Sequence, residues 1–334
     1  MIARPITAKS RLGVPDAVQR PGPDGIGRLE PEAIAAYVLR MAAIMHRALQ
    51  LLRPLLPRRF RADSAVVPVV RLSGVIGFST PLKPGLTISS VARSLERAFA
   101  MRGAAVALAI NSPGGSAVQS RLIHQRIRQL AEEHARPVIA FVEDVGASGG
   151  YMIACAADEI VCDSSSIVGS IGVVGGSFGF ERLIDKLGIE RRLYTSGERK
   201  AMLDPFLPQK QEDVDRLKAI QKDIHEGFIA LVKERRGAAL TGPESDLFSG
   251  EYWTGRKALE FGLVDAIGDL RSTLRQRYGE KVAMPLVSAE RGLFGRRIPG
   301  VDAGAFADGW GRVGFAEEIV SALEARALWA RYGL

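Results

Sequence analysis

The chain has 334 residues, 47% of them apolar and 25% charged, which is enough for one large or two small domains with a substantial core. Its formal charge of +8 does not point to nucleic acid, because the excess is local: residues 1–63 hold eleven Lys or Arg against five Asp or Glu, and only +2 remains for the other 271 residues. No basic stripe interleaved with aromatics occurs elsewhere, so no nucleic-acid partner is expected. Cys155 and Cys162 sit in apolar runs without Cys-x-x-Cys spacing and read as buried, reduced thiols. His46, His124, His134 and His225 lack metal-ligand spacing, so neither a metal nor another cofactor is expected.

Residues 1–28 are rich in Pro, Gly and charge and contain no apolar signal-peptide core. Residues 31–57 include IAAYVLRMAAIMHRALQLLRPLLP, which Arg40, His46, Arg47 and Arg53 interrupt and which Arg58, Arg59 and Arg61 follow. The apolar stretches between these charges are too short to span a bilayer. A basic amphipathic helix is predicted, either lying on an anionic membrane surface or packing on protein. The expected organisation is an extension over 1–64, a catalytic-type body over 65–285, and a Gly-rich segment with a terminal helix over 286–334. The expected location is cytoplasmic or peripherally membrane-associated.

From Val66 the pattern becomes regular. Strands are predicted at VVPVVRL (66–72) and VIGF (75–78), then a helix over 88–102 with Val91, Leu95, Ala98 and Phe99 on one face. The buried-type strand AAVALAI (104–110) leads into a loop at 111–116, a helix over 117–135, and the strand PVIAFV (137–142). A second Gly-rich loop follows at 143–150, then a short apolar helix near Tyr151 and the strand DEIVC (158–162). Further on, a strand RRLYT (191–195), a polar helix over 209–236 and a terminal helix over 317–332 are expected. Continuous apolar strands alternating with helices predict an α/β fold with a parallel sheet covered by helices. In such sheets function gathers in loops at the carboxyl ends of strands, where both Gly-rich loops fall.

Gly146-Ala147-Ser148-Gly149-Gly150 places a serine between a strand and a helix, flanked by glycines. That arrangement holds a hydroxyl out on a sharp turn and aims the Gly149 amide at an attacked carbonyl. Taken alone, the string equally describes a helix-capping turn. The loop Asn111-Ser112-Pro113-Gly114-Gly115-Ser116 offers further backbone N–H groups close to a developing oxyanion. A histidine base for Ser148 is poorly supplied: only His225 lies downstream, on the polar helix, where an exposed side chain dispensable for activity is expected. A neutral lysine can serve instead. Lys200, Lys210, Lys218, Lys222 and Lys233 all follow Ser148, and composition alone does not choose among them.

Together the segments NSPGGS (111–116), ASGGY (147–151), SSSIVGSIGV (164–173), TSGERKAMLDPF (195–206) and TGRKALEFGLVDAIG (254–268) resemble the S49 family of serine peptidases, the signal-peptide-peptidase A group. The likeness covers roughly residues 66–270 and implies a ClpP/crotonase-type fold of repeated ββα units. By position, it implies Ser148 as nucleophile, Lys200 as general base and Ser170 as the serine that orients the lysine. The amides of Gly149 and of Gly114 or Gly115 match the oxyanion hole. Peptide substrates, including residual signal peptides or other membrane-derived peptides, are implied as well. So is a homo-oligomer whose neighbouring protomers share each site. The charge-interrupted segment 31–57 departs from the transmembrane anchor common in that family. Two other readings are a crotonase-type acyl-CoA enzyme, for which the same oxyanion loops would serve, and a non-catalytic scaffold of the same fold.

Overall fold

A computed structural model of the chain describes residues 64–77, 85–197 and 199–288, together with 327, 329, 330 and 332. All belong to the unit Ser64–Leu334. The helix expected within 31–57, the Gly-rich segment 291–314 and most of the terminal helix 317–332 lie outside the described residues.

Seven strands form one mostly parallel sheet. Strands β1 (Val69–Ser73), β2 (Val106–Ser112), β3 (Val138–Ala147), β4 (Glu159–Cys162) and β7 (Ala266–Ile267) lie side by side in the order β1-β2-β3-β4-β7. All four of those pairings are parallel. β5 (Ile167–Gly169) joins β3 in parallel, and β6 (Tyr252–Thr254) joins β5 antiparallel. The α/β class read from the sequence is the class observed.

The middle strands are buried on both faces, and side-chain alternation sorts them by size. Val106, Leu108 and Ile110 enter one core while Ala107 and Ala109 enter the other. The larger core is closed by helices α1 (Ile88–Ala100), α2 (Ala117–Glu133) and α3 (Gly149–Ala154) and by part of α5 (Gln211–Arg236). Leu274 of α8 (Leu270–Tyr278) closes the smaller one. Each fully buried Leu, Ile or Phe here contributes roughly 1.5–3 kcal/mol.

Local chemistry sets the helix ends. Thr87 and Ser90 form a reciprocal capping box at the start of α1, which buries Val91, Leu95, Ala98 and Phe99 as its periodicity requires. Ser116 caps α2 through Gln119 N–H. After α2, Ala135 turns to φ 46° and Pro137 follows, so the helix cannot continue. Three short helices, α4 (Glu181–Lys186), α6 (Glu244–Leu247) and α7 (Gly255–Glu260), complete the described set.

Three expectations are corrected. Residues 143–147 are not loop: β3 runs on to Ala147, because Val145, Gly146 and Ala147 find a new partner in β5 after β4 has ended. Val75 to Gly77 make no strand, Phe78 lying outside the described residues; Ile76 forms only isolated bridges, to Leu86 and Gly115. RRLYT at 191–195 is not a strand either: it is exposed and pairs with no strand among the described residues.

Candidate active site

Ser148 stands at the junction of β3 and α3 with φ 52° and ψ −121°. This backbone is rare for a residue bearing a side chain and persists only where its surroundings over-determine it. The surroundings here do so. Ser148 N–H donates to Gly169 O at 2.8 Å, and Ser148 O accepts from Met152 N–H at 2.9 Å. Every residue of α3 is buried, so the helix fixes the turn from behind. Tyr151, fully buried, donates its hydroxyl to Leu263 O at 2.7 Å. The Ser148 hydroxyl caps nothing, which removes the helix-capping reading of the glycine-flanked serine.

The glycines are there for space. A Cβ on Gly150 would lie 2.5 Å from Ser112 O, and one on Gly149 would strike Ser120 Oγ. Gly114 has φ 103° and packs on the Ser148 turn, where a Cβ would come 2.8 Å from Ser148 Cβ and 3.0 Å from Gly149 N. The loop is pinned at both sides: Ile76 N–H donates to Gly114 O at 2.8 Å and Ser116 N–H to Ile76 O at 2.8 Å. Ser112 Oγ donates to Gly74 O at 2.7 Å and accepts a longer bond from Gly114 N–H at 3.3 Å. Because residues 114 and 116 supply the bonds to Ile76, the N–H and C=O of Gly115 face the opposite way. Gly115 N–H has no acceptor among the described residues, and neither has Gly149 N–H.

Asn111 ties the carboxyl ends of β2 and β3 together. Its Nδ2 donates to Asp144 Oδ2 at 2.6 Å and its Oδ1 accepts from Val145 N–H at 3.2 Å. Expected in a loop, Asn111 is the penultimate residue of β2, and its side chain bonds the end of that strand to the end of β3 that leads into Ser148.

Ser170 follows β5 and is buried, with φ 53°, directly after Gly169 at φ 110°. Its N–H donates to Glu251 O at 2.6 Å. Ser148, Gly149, Gly114, Gly115 and Ser170 are therefore gathered around the carboxyl ends of β2, β3 and β5. Lys200 is not bonded to this group. It is exposed, in turn structure on the segment beyond Gly172; its backbone N–H donates to Gly197 O at 3.2 Å, while its side chain makes no hydrogen bond or ion pair among the described residues. Much of that segment's apolar surface is bare, with Phe178 79% and Tyr194 90% exposed.

His225 is not the exposed histidine expected on the polar helix. It is half-buried, and its Nε2 lies 2.9 Å from Ile171 O. At the rim of the site, Tyr332 sets its ring 4.9 Å from that of Tyr252, edge to face, and its hydroxyl reaches Pro113 O at 3.5 Å.

Residues 131–282 match the profile of Peptidase family S49. A protein of Synechocystis sp. that carries a protease name is 32% identical over 226 residues, taking in 65% of this chain and 79% of that one. The protein named probable protease SohB in Buchnera aphidicola is 35% identical over 163 residues, 49% of this chain and 47% of its own. A Brucella abortus protein named Na(+)/H(+) antiporter NhaA is 53% identical over 304 residues. That match takes in 90% of this chain but only 41% of the Brucella protein, so the chain spans about two fifths of that relative's length. The site geometry and the extent of these matches lead to one assignment: the chain belongs to peptidase family S49.

Proposed function

We propose that the chain is a serine endopeptidase that works through an acyl-enzyme, with Ser148 as nucleophile and Lys200 as general base. The observation that carries this reading is the Ser148 turn. A serine is held at positive φ between a buried strand and a buried helix, and among the described residues its hydroxyl has no partner and the N–H groups of Gly149 and Gly115 have no acceptor.

Ser148 Oγ attacks the peptide carbonyl while Lys200 Nζ, in its neutral form, takes the hydroxyl proton. The oxyanion that develops receives the N–H groups of Gly149 and Gly115. Gly115 is favoured over Gly114 because the Gly114 amide is turned toward Ser112 Oγ. Ser170 orients the lysine. The protonated lysine then returns its proton to the departing amine, and the same lysine activates the water that releases the acyl group.

The exposed Lys200 segment supports a site completed between neighbouring protomers of a homo-oligomer, with the bare apolar side chains around Phe178 covered by the next copy. The substrate class that fits the family is residual signal peptides and other membrane-derived peptides. No helix among the described residues is long and apolar enough to cross a membrane. Residues 31–61 lie outside that set, and a peripheral role for them is tested on anionic vesicles, where salt should weaken binding.

The decisive experiment is labelling with a fluorophosphonate beside peptide-cleavage kinetics. Ser148→Ala should lose all labelling, and Ser148→Ala and Lys200→Ala should each lower kcat/KM by at least about a thousandfold. Near-normal turnover in Lys200→Ala would overturn the dyad, and an acyl-CoA enzyme of similar fold would show no serine labelling at all.

A further inference from the structure

We infer that His225 is a positioning residue for the catalytic group: through the carbonyl of Ile171 it fixes the Ser170 turn and the root of the segment that carries Lys200. This rests on the Ser148/Lys200 reading above and adds a residue to it.

The turn over 169–172 has a shape that needs holding. Gly169 and Ser170 take positive φ one after the other, at 110° and 53°, and a serine does not keep such a backbone without outside support. Three bonds grip this short run. Gly169 O accepts from Ser148 N–H at 2.8 Å, and Ser170 N–H donates to Glu251 O at 2.6 Å. The third comes from His225 to Ile171 O at 2.9 Å. A carbonyl can only accept, so His225 Nε2 must carry the proton and donate it. The first two bonds are backbone to backbone and survive any side-chain change. Among the described residues, the third is the one grip that a side chain supplies.

Its placement explains why it matters. Ile171 is completely buried, so this carbonyl would otherwise depend on scarce alternatives. Toward the N-terminus, Gly169, whose carbonyl anchors Ser148, lies two residues before Ile171. Toward the C-terminus, the exposed run that leads to Lys200 begins three residues on, at Val174. Helix α5 also lies close to the root of that run, where a Cβ on Gly175 would come 2.9 Å from Gln221 Nε2. His225 thus sits where one rigid helix touches the junction between the nucleophile's anchor and the lysine's carrier. The same bond argues against His225 as a base, since its Nε2 proton is committed to Ile171 O.

The test uses the full-length chain with three replacements. His225→Leu keeps apolar bulk and removes the donor. His225→Gln carries an amide N–H about where Nε2 lies, whereas His225→Asn carries one too short to reach. Active sites are titrated to completion with fluorophosphonate, and kcat and KM are measured per titrated site. His225→Leu and His225→Asn should lose roughly tenfold or more in kcat with KM changed less than about twofold, and His225→Gln should recover most of that loss. A merely structural histidine would lower the melting temperature in all three and leave kcat per titrated site unchanged, which overturns the inference. Full kcat in His225→Leu beside an inactive Ser148→Ala overturns it alone. Retained activity in Ser148→Ala overturns the dyad reading and this inference with it. If His225→Leu does not fold, the Gln and Asn pair decides: equal kcat in the two overturns the inference.

Discussion

Ser148 donates its backbone N–H to the carbonyl of Gly169, the residue immediately before Ser170, at 2.8 Å. The strained turn of the one serine is thereby locked to the strained turn of the other, although they stand on different strands. Gly169 is the hinge of this lock. A Cβ there would meet the Trp253 ring at 2.8 Å, on a backbone at φ 110° that alanine rarely adopts. Gly169→Ala is expected to cost about 2 kcal/mol or more in urea unfolding and to reduce kcat more than tenfold. Wild-type kinetics in a folded Gly169→Ala would show the lock to be dispensable.

The proposed sharing of each site between protomers predicts complementation. Ser148→Ala and Lys200→Ala subunits, each inactive alone, are dissociated, mixed and allowed to reassemble. Part of the activity should return, because some interfaces then pair an intact serine with an intact lysine. Absence of recovery from demonstrably mixed oligomers would place both residues in one chain.

Arg236 is buried and finds its partners at the turn before β7. Its Nη1 donates to Asp265 Oδ2 at 2.8 Å, and Nε and Nη2 donate to Gly262 O at 3.2 and 2.8 Å. The same Asp265 oxygen accepts from Ile160 N–H at 2.7 Å, which joins α5, β4 and the approach to β7. Asp265→Ala strands a buried guanidinium and should destabilise the fold by about 3–5 kcal/mol. Asp265→Asn, which keeps an acceptor, should cost less. Equal urea midpoints for the alanine variant and the parent would contradict this.

His124 on α2 is buried, and neither ring nitrogen has a hydrogen-bond partner among the described residues. Burial, followed by the charges of Arg235, Arg128 and Arg121, pushes its pKa down to about 4. The nearby Cys155 carbonyl pulls the other way without reaching hydrogen-bond geometry. The folded chain therefore refuses a proton that the unfolded chain accepts near pH 6.5. His124's contribution is complete above about pH 6.5 and is lost as the pH falls toward about 4, on the order of 3 kcal/mol in all. Urea midpoints across that window should fall for the parent and fall less for His124→Leu. Parallel slopes would remove His124 from the account.

Much of this was legible in the chain because it rests on local rules. The apolar period of α1, the continuous strands at 104–110 and 137–142, and the glycine-flanked serine each follow from side-chain alternation or backbone freedom. The missed features depend on partners distant in sequence. Nothing near residues 143–147 announces that β5, some twenty residues on, will pair with them. RRLYT has the composition of a strand but no neighbour to bond. His225 looks like any histidine on a polar helix until Ile171, 54 residues away, is seen to face it. The serines, their glycines and Lys200 were visible as motifs; what holds the serines in place was not.

The double partnership of β3 divides the sheet into two regions of unequal resilience. Residues 139–142 pair with β4, while 145–147 pair with β5, a three-residue strand backed only by the three-residue β6. Amide hydrogen exchange should therefore separate along this one strand. Ile139 to Val142 should exchange only on global unfolding, and Val145 to Ala147 through a smaller local opening. The turn that holds Ser148 is built on the half with the shorter partner, so a local opening there should reach the proposed nucleophile while residues 139–142 stay protected.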